Sequence, residues 1–448
     1  MNPTLHRPSV LLTCLFLLLG PACEQEASQS DIGADKSEQA DGHGGKADGI
    51  DICAAWDWYD DDFCDDPYGW CALPDPDCGD DGDSCAEGST WSGEADEGCI
   101  QEPSPPAVFA DAVVIGSRGS TSSDLRAWAS IAVDDTDGVH VVYVGQGTQP
   151  TYARASDAWL PIQLDDQYVR GGLTLAADAQ VHVAYIDSSY QLQYLLVEDG
   201  VVVDRDEPAS VAHSVGLALG PVDTHLVYGS GSNSNRVTGR AGELGDWRAE
   251  AIAELGSTTA APESPAVAID PNGIVHAVYG TRPAAYDFRS ASVLRYARRD
   301  AAGTWSDEAI VRATRDGGSI TVGADGAPFS VYRGFVDGHQ TLMSASRRDG
   351  TGGPWEVTPV FGAGVFGASP GVATAADGTL HIAYRERGSL LQHTQRAPGG
   401  DWSEPTVLDT NVSMSSSDRV SIAIASDDAI HIVYSDTESR EVRYTTRP

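Results

Sequence analysis

The chain has 448 residues, 41% of them hydrophobic and 8% aromatic, and a formal net charge of −38. The apolar share is enough for a core, but the length exceeds one ordinary compact domain unless the chain is a repeat array. A polyanion of this kind repels nucleic acid phosphates and anionic lipid surfaces, so neither is expected as a partner of its surface.

Residues 1–22 read as an export signal: His6 and Arg7, then an apolar run over 10–19 that is too short to span a bilayer. The run ends Leu19-Gly20-Pro21-Ala22-Cys23. It resembles a bacterial lipobox, which implies lipidation of Cys23 as the mature N-terminus; ordinary cleavage after Ala22 is the other reading. Eight cysteines are present, with Cys14 inside the signal and six between residues 53 and 99 able to pair among themselves, so Cys23 is left over for acylation. The implied address is an outer-membrane or cell-surface lipoprotein, with a secreted or periplasmic protein as the alternative. The membrane is touched only through the N-terminal lipid.

Residues 23–50 are Ser, Gln, Asp, Glu and Gly with almost no large apolar group, and read as an acidic tether. Residues 51–100 hold Cys53, Cys64, Cys71, Cys78, Cys85 and Cys99, which in an exported chain imply three disulfides of open pairing. Zinc is the rival reading, but no C-x-x-C is present. Over residues 24–100, 23 Asp/Glu face only Lys36 and Lys46, and no lysine lies beyond, so composition alone divides the mature chain in two. The cluster Asp75, Asp77, Asp80, Asp81 and Asp83 invites a structural calcium, although Gly79 breaks the EF-hand alternation. No other cofactor is expected. The stretch from Trp58-Tyr59 through Cys64-Asp65 to Pro74-Asp75-Pro76-Asp77-Cys78-Gly79 resembles a short cysteine motif of lipoproteins in myxobacteria and related soil bacteria, which implies a surface address and no chemistry. Residues 101–107, with Pro103, Pro105 and Pro106, form a stiff linker.

From residue 108 to 448 one phrase returns seven times: a small/aliphatic alternating run, a turn, then His-x-x-Tyr. The copies end at Tyr143, Tyr185, Tyr228, Tyr279, Tyr332, Tyr384 and Tyr434, stepping by 42 to 53 residues. Six carry the histidine, and the fifth has Phe329 in its place. Strand-and-turn repeats of this length predict an all-β, seven-bladed β-propeller of four-stranded blades. In the fourth repeat the expected strands are 266–270, 274–279, 293–298 and 305–311. The seventh repeat runs out after a third strand at 441–446, while residues 108–115 read as an outer strand without a blade. The N-terminal strand is therefore expected to complete the last blade and leave no open edge.

The repeated histidines read as structural, each bonding a backbone carbonyl or a turn carboxylate across blades. A second repeated plan, an Arg closing one strand and a Trp opening the next, appears at Arg154/Trp159, Arg240/Trp247, Arg299/Trp305, Arg348/Trp355 and Arg396/Trp402. With Asp300-x-x-Gly303-x-Trp305 it resembles the Asp-box hairpin of sialidase-like propellers. That resemblance implies the fold and a structural lock, while the arginine-bearing motif that begins the sialidase site is missing from the chain and no residue maps to a catalytic position. A ligand site, if present, falls on the face bearing the loops that enter the innermost strands and leave the second ones. Those loops carry Arg118, Arg126, Tyr168, Arg170, Arg282, Tyr286, Arg289, Arg315, Arg333, Arg385 and Arg419. Aromatic faces beside planar guanidinium donors suit a sugar or a carboxylate; the alternative is a solvated rim balanced by Asp165, Asp166, Asp187, Asp337, Asp418 and Asp436. The expected function is non-catalytic recognition of a glycan or surface protein by a monomer, with a sialidase-like glycoside hydrolase and an architectural envelope protein as alternatives.

Overall fold

The computed structural model describes residues 108–118, 128–230, 236–255, 263–281, 292–314, 317–336, 339–347, 353–361, 369–386, 389–414 and 418–448, with the backbone of four short strands nearer the N-terminus. Contacts divide the chain into two units, Met1–Pro103 and Ser104–Pro448. In the first, Lys46–Ala47 pairs antiparallel with Ile50–Asp51, and Ser89–Trp91 with Cys99–Gln101. The signal, the side chains of all the cysteines and the five aspartates expected to hold calcium lie outside the described residues.

The second unit is a seven-bladed β-propeller. Seven antiparallel four-stranded sheets follow one another, each ordered inner, second, third, outer. Blade 4 is typical: Glu263–Ile269, Val275–Thr281, Ser292–Arg299 and Trp305–Thr314. Its inner strand begins three residues before the expected position, because a register shift between Glu263 and Ala266 hides the period-two pattern there. The seven inner strands touch in cyclic order, and the seventh, Ser421–Ile424, meets the first, Ala129–Val133. No α-helix occurs among the described residues of this unit.

The last blade is built from both ends of the chain, as expected. Its third strand, Glu441–Arg447, pairs antiparallel with Val113–Ser117. The contact extends further, since the Ala110 amide donates to the Thr446 carbonyl at 2.8 Å and the Thr445 hydroxyl to the Ala110 carbonyl at 2.6 Å.

Packing is by gaps between blades. Seven apolar clusters fill seven gaps, each drawn from two neighbouring blades. The tyrosine of every repeat sits in a gap, at 2% exposure or less. Burying one such ring stabilises the fold by about 1.5–3 kcal/mol, so the repeated tyrosine reflects a repeated packing demand. Small residues hold the blades close: a Cβ on Gly116 of the closing strand would collide with the Tyr143 hydroxyl, and one on Gly216 would come within 2.8 Å of the Pro265 carbonyl.

Candidate functional site

The repeated polar groups hold the blades together. His140 lies between the Tyr152 hydroxyl, 2.7 Å from Nδ1, and the Asp134 carboxylate, 2.8 Å from Nε2. A carboxylate only accepts, so Nε2 carries a proton towards Asp134. The same Nδ1–tyrosine bond joins His182 to Tyr194, His276 to Tyr296 at 2.7 Å, and His431 to Tyr444 at 2.6 Å. The turn carboxylate was foreseen, but these partners lie within the histidine's own blade, not across blades. Burial pushes His276 down to about 4, and lowers His182, His225 and His431 as well. Blade 6 departs from the plan: His393 stands where the tyrosine should be, 3.2 Å from His381. Burial, then the neighbouring charges, takes this pair to about 3 and about 4. Imidazoles bonded within their own blades and locked in the interior are fold elements.

The Arg–Trp hairpins are locks between blades. The Trp305 indole donates to Glu250 on the preceding blade at 2.7 Å, and Arg299 binds the same carboxylate through two contacts of 2.7 Å. Trp247 holds Asp206 at 2.9 Å in the same way. Trp355 and Arg347 share Glu308, with the guanidinium 4.7 Å above the indole. The arginine is thus Arg347, one residue before the expected Arg348. Arg396 stacks 4.6 Å over Trp402, and Phe329, in place of the fifth histidine, packs beneath it. In the split blade Phe109 takes the place of the tryptophan, 5.0 Å from His393 and 5.3 Å from the Arg447 guanidinium. Within the propeller, Trp-x-x-Glu at Trp247/Glu250 and Trp305/Glu308 is the sequence signal that could have disclosed Glu250 and Glu308.

What remains is the loop face, where the inner strands begin. The channel mouth there encloses about 50 Å³ between Trp128, Ser130, Gly172, Ser214, Ser264, Arg419 and Ser421. Arg419, from blade 7, reaches across to blade 4 and donates to the Ser264 carbonyl at 3.3 Å. Ser264 has a φ of +47°, a left-handed conformation that costs a non-glycine residue energy and is held by its surroundings. The hydroxyls of Ser130 and Ser421 accept from the Leu175 and Ile131 amides of the next blade, which stitches the inner strands together at the mouth. Among the described lining residues there is no carboxylate.

The five described candidate arginines go to four places. Arg118 and Arg385 are 7% and 8% exposed and face the buried Asp418 and Asp436. Burial lowers both guanidinium pKa values and those carboxylates oppose the shift. Arg385 also donates to the Val412 carbonyl at 2.9 Å, so it braces the chain between blades 6 and 7. Arg419 lies at the channel. Arg333 is buried in the second strand of blade 5. Arg170 is exposed and stacks 4.5 Å over the Tyr190 ring. Tyr190 in turn lies 5.1 Å from His213, and Tyr168, two residues before Arg170, is 54% exposed. This aromatic group beside the mouth includes Tyr190 and His213, which the loop reading passed over: Tyr190 lies in the short turn that leaves the second strand of blade 2, and His213 is the second residue of the inner strand of blade 3. Arg126, Arg282, Tyr286, Arg289 and Arg315 lie outside the described residues. Among the described residues no group of three or more His, Cys, Asp or Glu is placed to hold a metal ion.

No protein-family model matches the chain, and no curated protein matches it. Among solved structures it is similar to a lectin from Burkholderia pseudomallei, at 14% identity and a TM-score of 0.47 over 73% of this chain and 94% of that one. It is similar to an α-L-arabinofuranosidase from Fusarium graminearum, at 12% identity and a TM-score of 0.45 over 75% and 97%. It is also similar to the Aleuria aurantia lectin, described as a six-bladed β-propeller, at 10% identity and a TM-score of 0.44 over 72% and 92%. At these scores the likenesses identify no ligand for this chain.

Proposed function

We propose that the propeller is a non-catalytic recognition module that binds a glycan on its loop face, at the channel mouth and the adjoining Tyr168–Arg170–Tyr190–His213 group. The observation that carries this reading is the pairing of an exposed aromatic ring and a stacked guanidinium with a mouth of hydroxyls, an indole and an arginine. Sugars are recognised by aromatic faces against their C–H surfaces and by fixed hydrogen-bonding groups at their hydroxyls. Glycosidic hydrolysis ordinarily needs two carboxyl groups flanking the bond, and the described lining offers none. Cys23 serves as the lipid anchor in this reading, with residues 24–50 as the tether that presents the propeller.

A glycan array probed with the full chain tests it. Binding that falls at least about tenfold in Tyr168→Ala or Trp128→Ala supports the reading. Silence across the array removes the glycan and leaves a protein ligand. Turnover of a fluorogenic glycoside that disappears in Arg289→Ala or Arg333→Ala makes the protein an enzyme. The anchor is tested separately: radiolabelled palmitate should enter the chain and should not enter Cys23→Ser.

A further inference from the structure

The channel also opens at its other end, where the inner strands turn into the second ones. The seven hairpins there are residues 134–138, 178–180, 220–223, 270–274, 323–327, 375–379 and 425–429, all of them described. They carry ten aspartates and not one Lys, Arg or Glu. Within that ring, blades 3 to 6 leave a cavity of about 410 Å³ lined by Leu219, Pro221, Ile269, Val322, Ala324 and Ala376. Each of these four blades sets an aspartate beside its apolar contribution: Asp223, Asp270, Asp325 and Asp377. Val222 stands on the rim at 81% exposure.

Two of these carboxylates already have a basic neighbour. Asp223 pairs with Arg248 at 2.5 Å, and Asp270 lies 3.9 Å from His276. Asp325 and Asp377 have no ion pair to a described residue. Each caps its own turn, accepting from the Ala327 amide at 2.9 Å and the Thr379 amide at 2.7 Å, and such bonds leave the full negative charge in place. A low-dielectric depression with Asp270 in its lining and aspartates of a single sign in the hairpins around it focuses the field and concentrates cations. An open apolar depression on a chain of charge −38 needs a ligand that is both apolar and positive. A second copy of the chain would bring the same sign of charge and is disfavoured.

We propose that this turn-face mouth is a docking site for a basic amphiphilic peptide segment of a partner protein. An aliphatic or aromatic side chain fills the cavity between blades 3 and 6, and flanking Lys or Arg side chains lie against Asp325 and Asp377. The site is independent of the loop face.

The test uses the full chain and fluorescein-labelled Lys-Leu-Lys-Leu-Lys, read by polarisation at low and at raised salt. Binding should weaken with salt and fall at least about tenfold in Ala324→Trp and in Ala376→Trp, two exposed turn positions where a large ring fills the cavity without touching the core. Asp325→Asn with Asp377→Asn keeps the turn-capping oxygens, and should weaken binding about fivefold and flatten the salt dependence. Tyr168→Ala, on the opposite face, should leave binding unchanged. The proposal is overturned if the peptide does not bind, if Lys-Gly-Lys-Gly-Lys binds as tightly, if Ser-Leu-Ser-Leu-Ser binds as tightly, or if both tryptophan variants retain full affinity with unchanged circular dichroism.

Discussion

Replacing Glu250 by Ala tests whether the Arg–Trp hairpins lock blade to blade. The carboxylate accepts three contacts of 2.7 Å, two from Arg299 and one from the Trp305 indole. The side chains of Glu250 and Arg299 are 16% and 15% exposed, so removal leaves a guanidinium and an indole N–H largely shut off from water. A lost charge-assisted bond costs about 1.5–3 kcal/mol, and breaking a fully buried pair about 3–5. With residual solvent access the expected loss is about 2–3 kcal/mol. Glu250→Gln keeps an acceptor for the indole but not the charge, and should fall between. Glu254→Ala is the reference: its partner Arg236 is 60% and Glu254 itself 73% exposed at 3.2 Å, so the loss there should stay under about 0.5 kcal/mol. Urea midpoints, read by circular dichroism and by tryptophan fluorescence on the same samples, give the comparison. A double-mutant cycle with Arg299→Met isolates the pair. If Glu250→Ala and Glu254→Ala shift the midpoint equally, the hairpins are not locks.

The buried histidines set the acid limit. Burial depresses the folded pKa values of His276 and His381, so between the unfolded value of about 6.5 and their folded value of about 4 the unfolded chain binds more protons. Stability should therefore fall as pH drops through that window, and urea midpoints at neutral and mildly acid pH will show it; a flat profile contradicts the assignment. Asp134, held near 2 chiefly by its bonds to His140 and Thr136 against the penalty of burial, contributes a further loss as pH falls from about 4 towards 2. His393→Tyr, which restores the pattern of blades 1, 2, 4 and 7, should make the acid decline shallower. Phe109→Ala removes the ring between His393 and Arg447 and should cost about 2–3 kcal/mol, read as a lower urea midpoint; no change would mean that the N-terminal segment does not seat in the last blade.

The repeat made the in-blade architecture legible, because each copy meets the same packing demand at the same offset. Tyr143 to Tyr434 marked the second strands, and the missing outer strand at the C-terminus foretold the closure by residues 108–115. Contacts between blades were harder to read. Glu250 and Arg299 are 49 residues apart and Asp206 and Trp247 41, with loops of unequal length between, so no fixed spacing advertises them. The inner-strand start of blade 4 was missed because a bulge at Glu263 breaks the alternation, an irregularity that recurs at Val169 and Ala212. The loop arginines were a list without geometry. Residue type could not distinguish Arg385, buried as a brace, from Arg170, exposed on a tyrosine ring.

Every face and channel mouth described above depends on the ring closing through the N-terminal strand. Hydrogen–deuterium exchange of the full chain measures that closure directly. Amides of Val113–Ser117, with Ala110, should exchange as slowly as those of the outer strands Thr406–Asp409 and Glu356–Pro359, and they should lose that protection together with Glu441–Arg447 in urea. Exchange of Val113–Ser117 at the rate of an unpaired segment, while Glu441–Arg447 stays protected, would contradict the account.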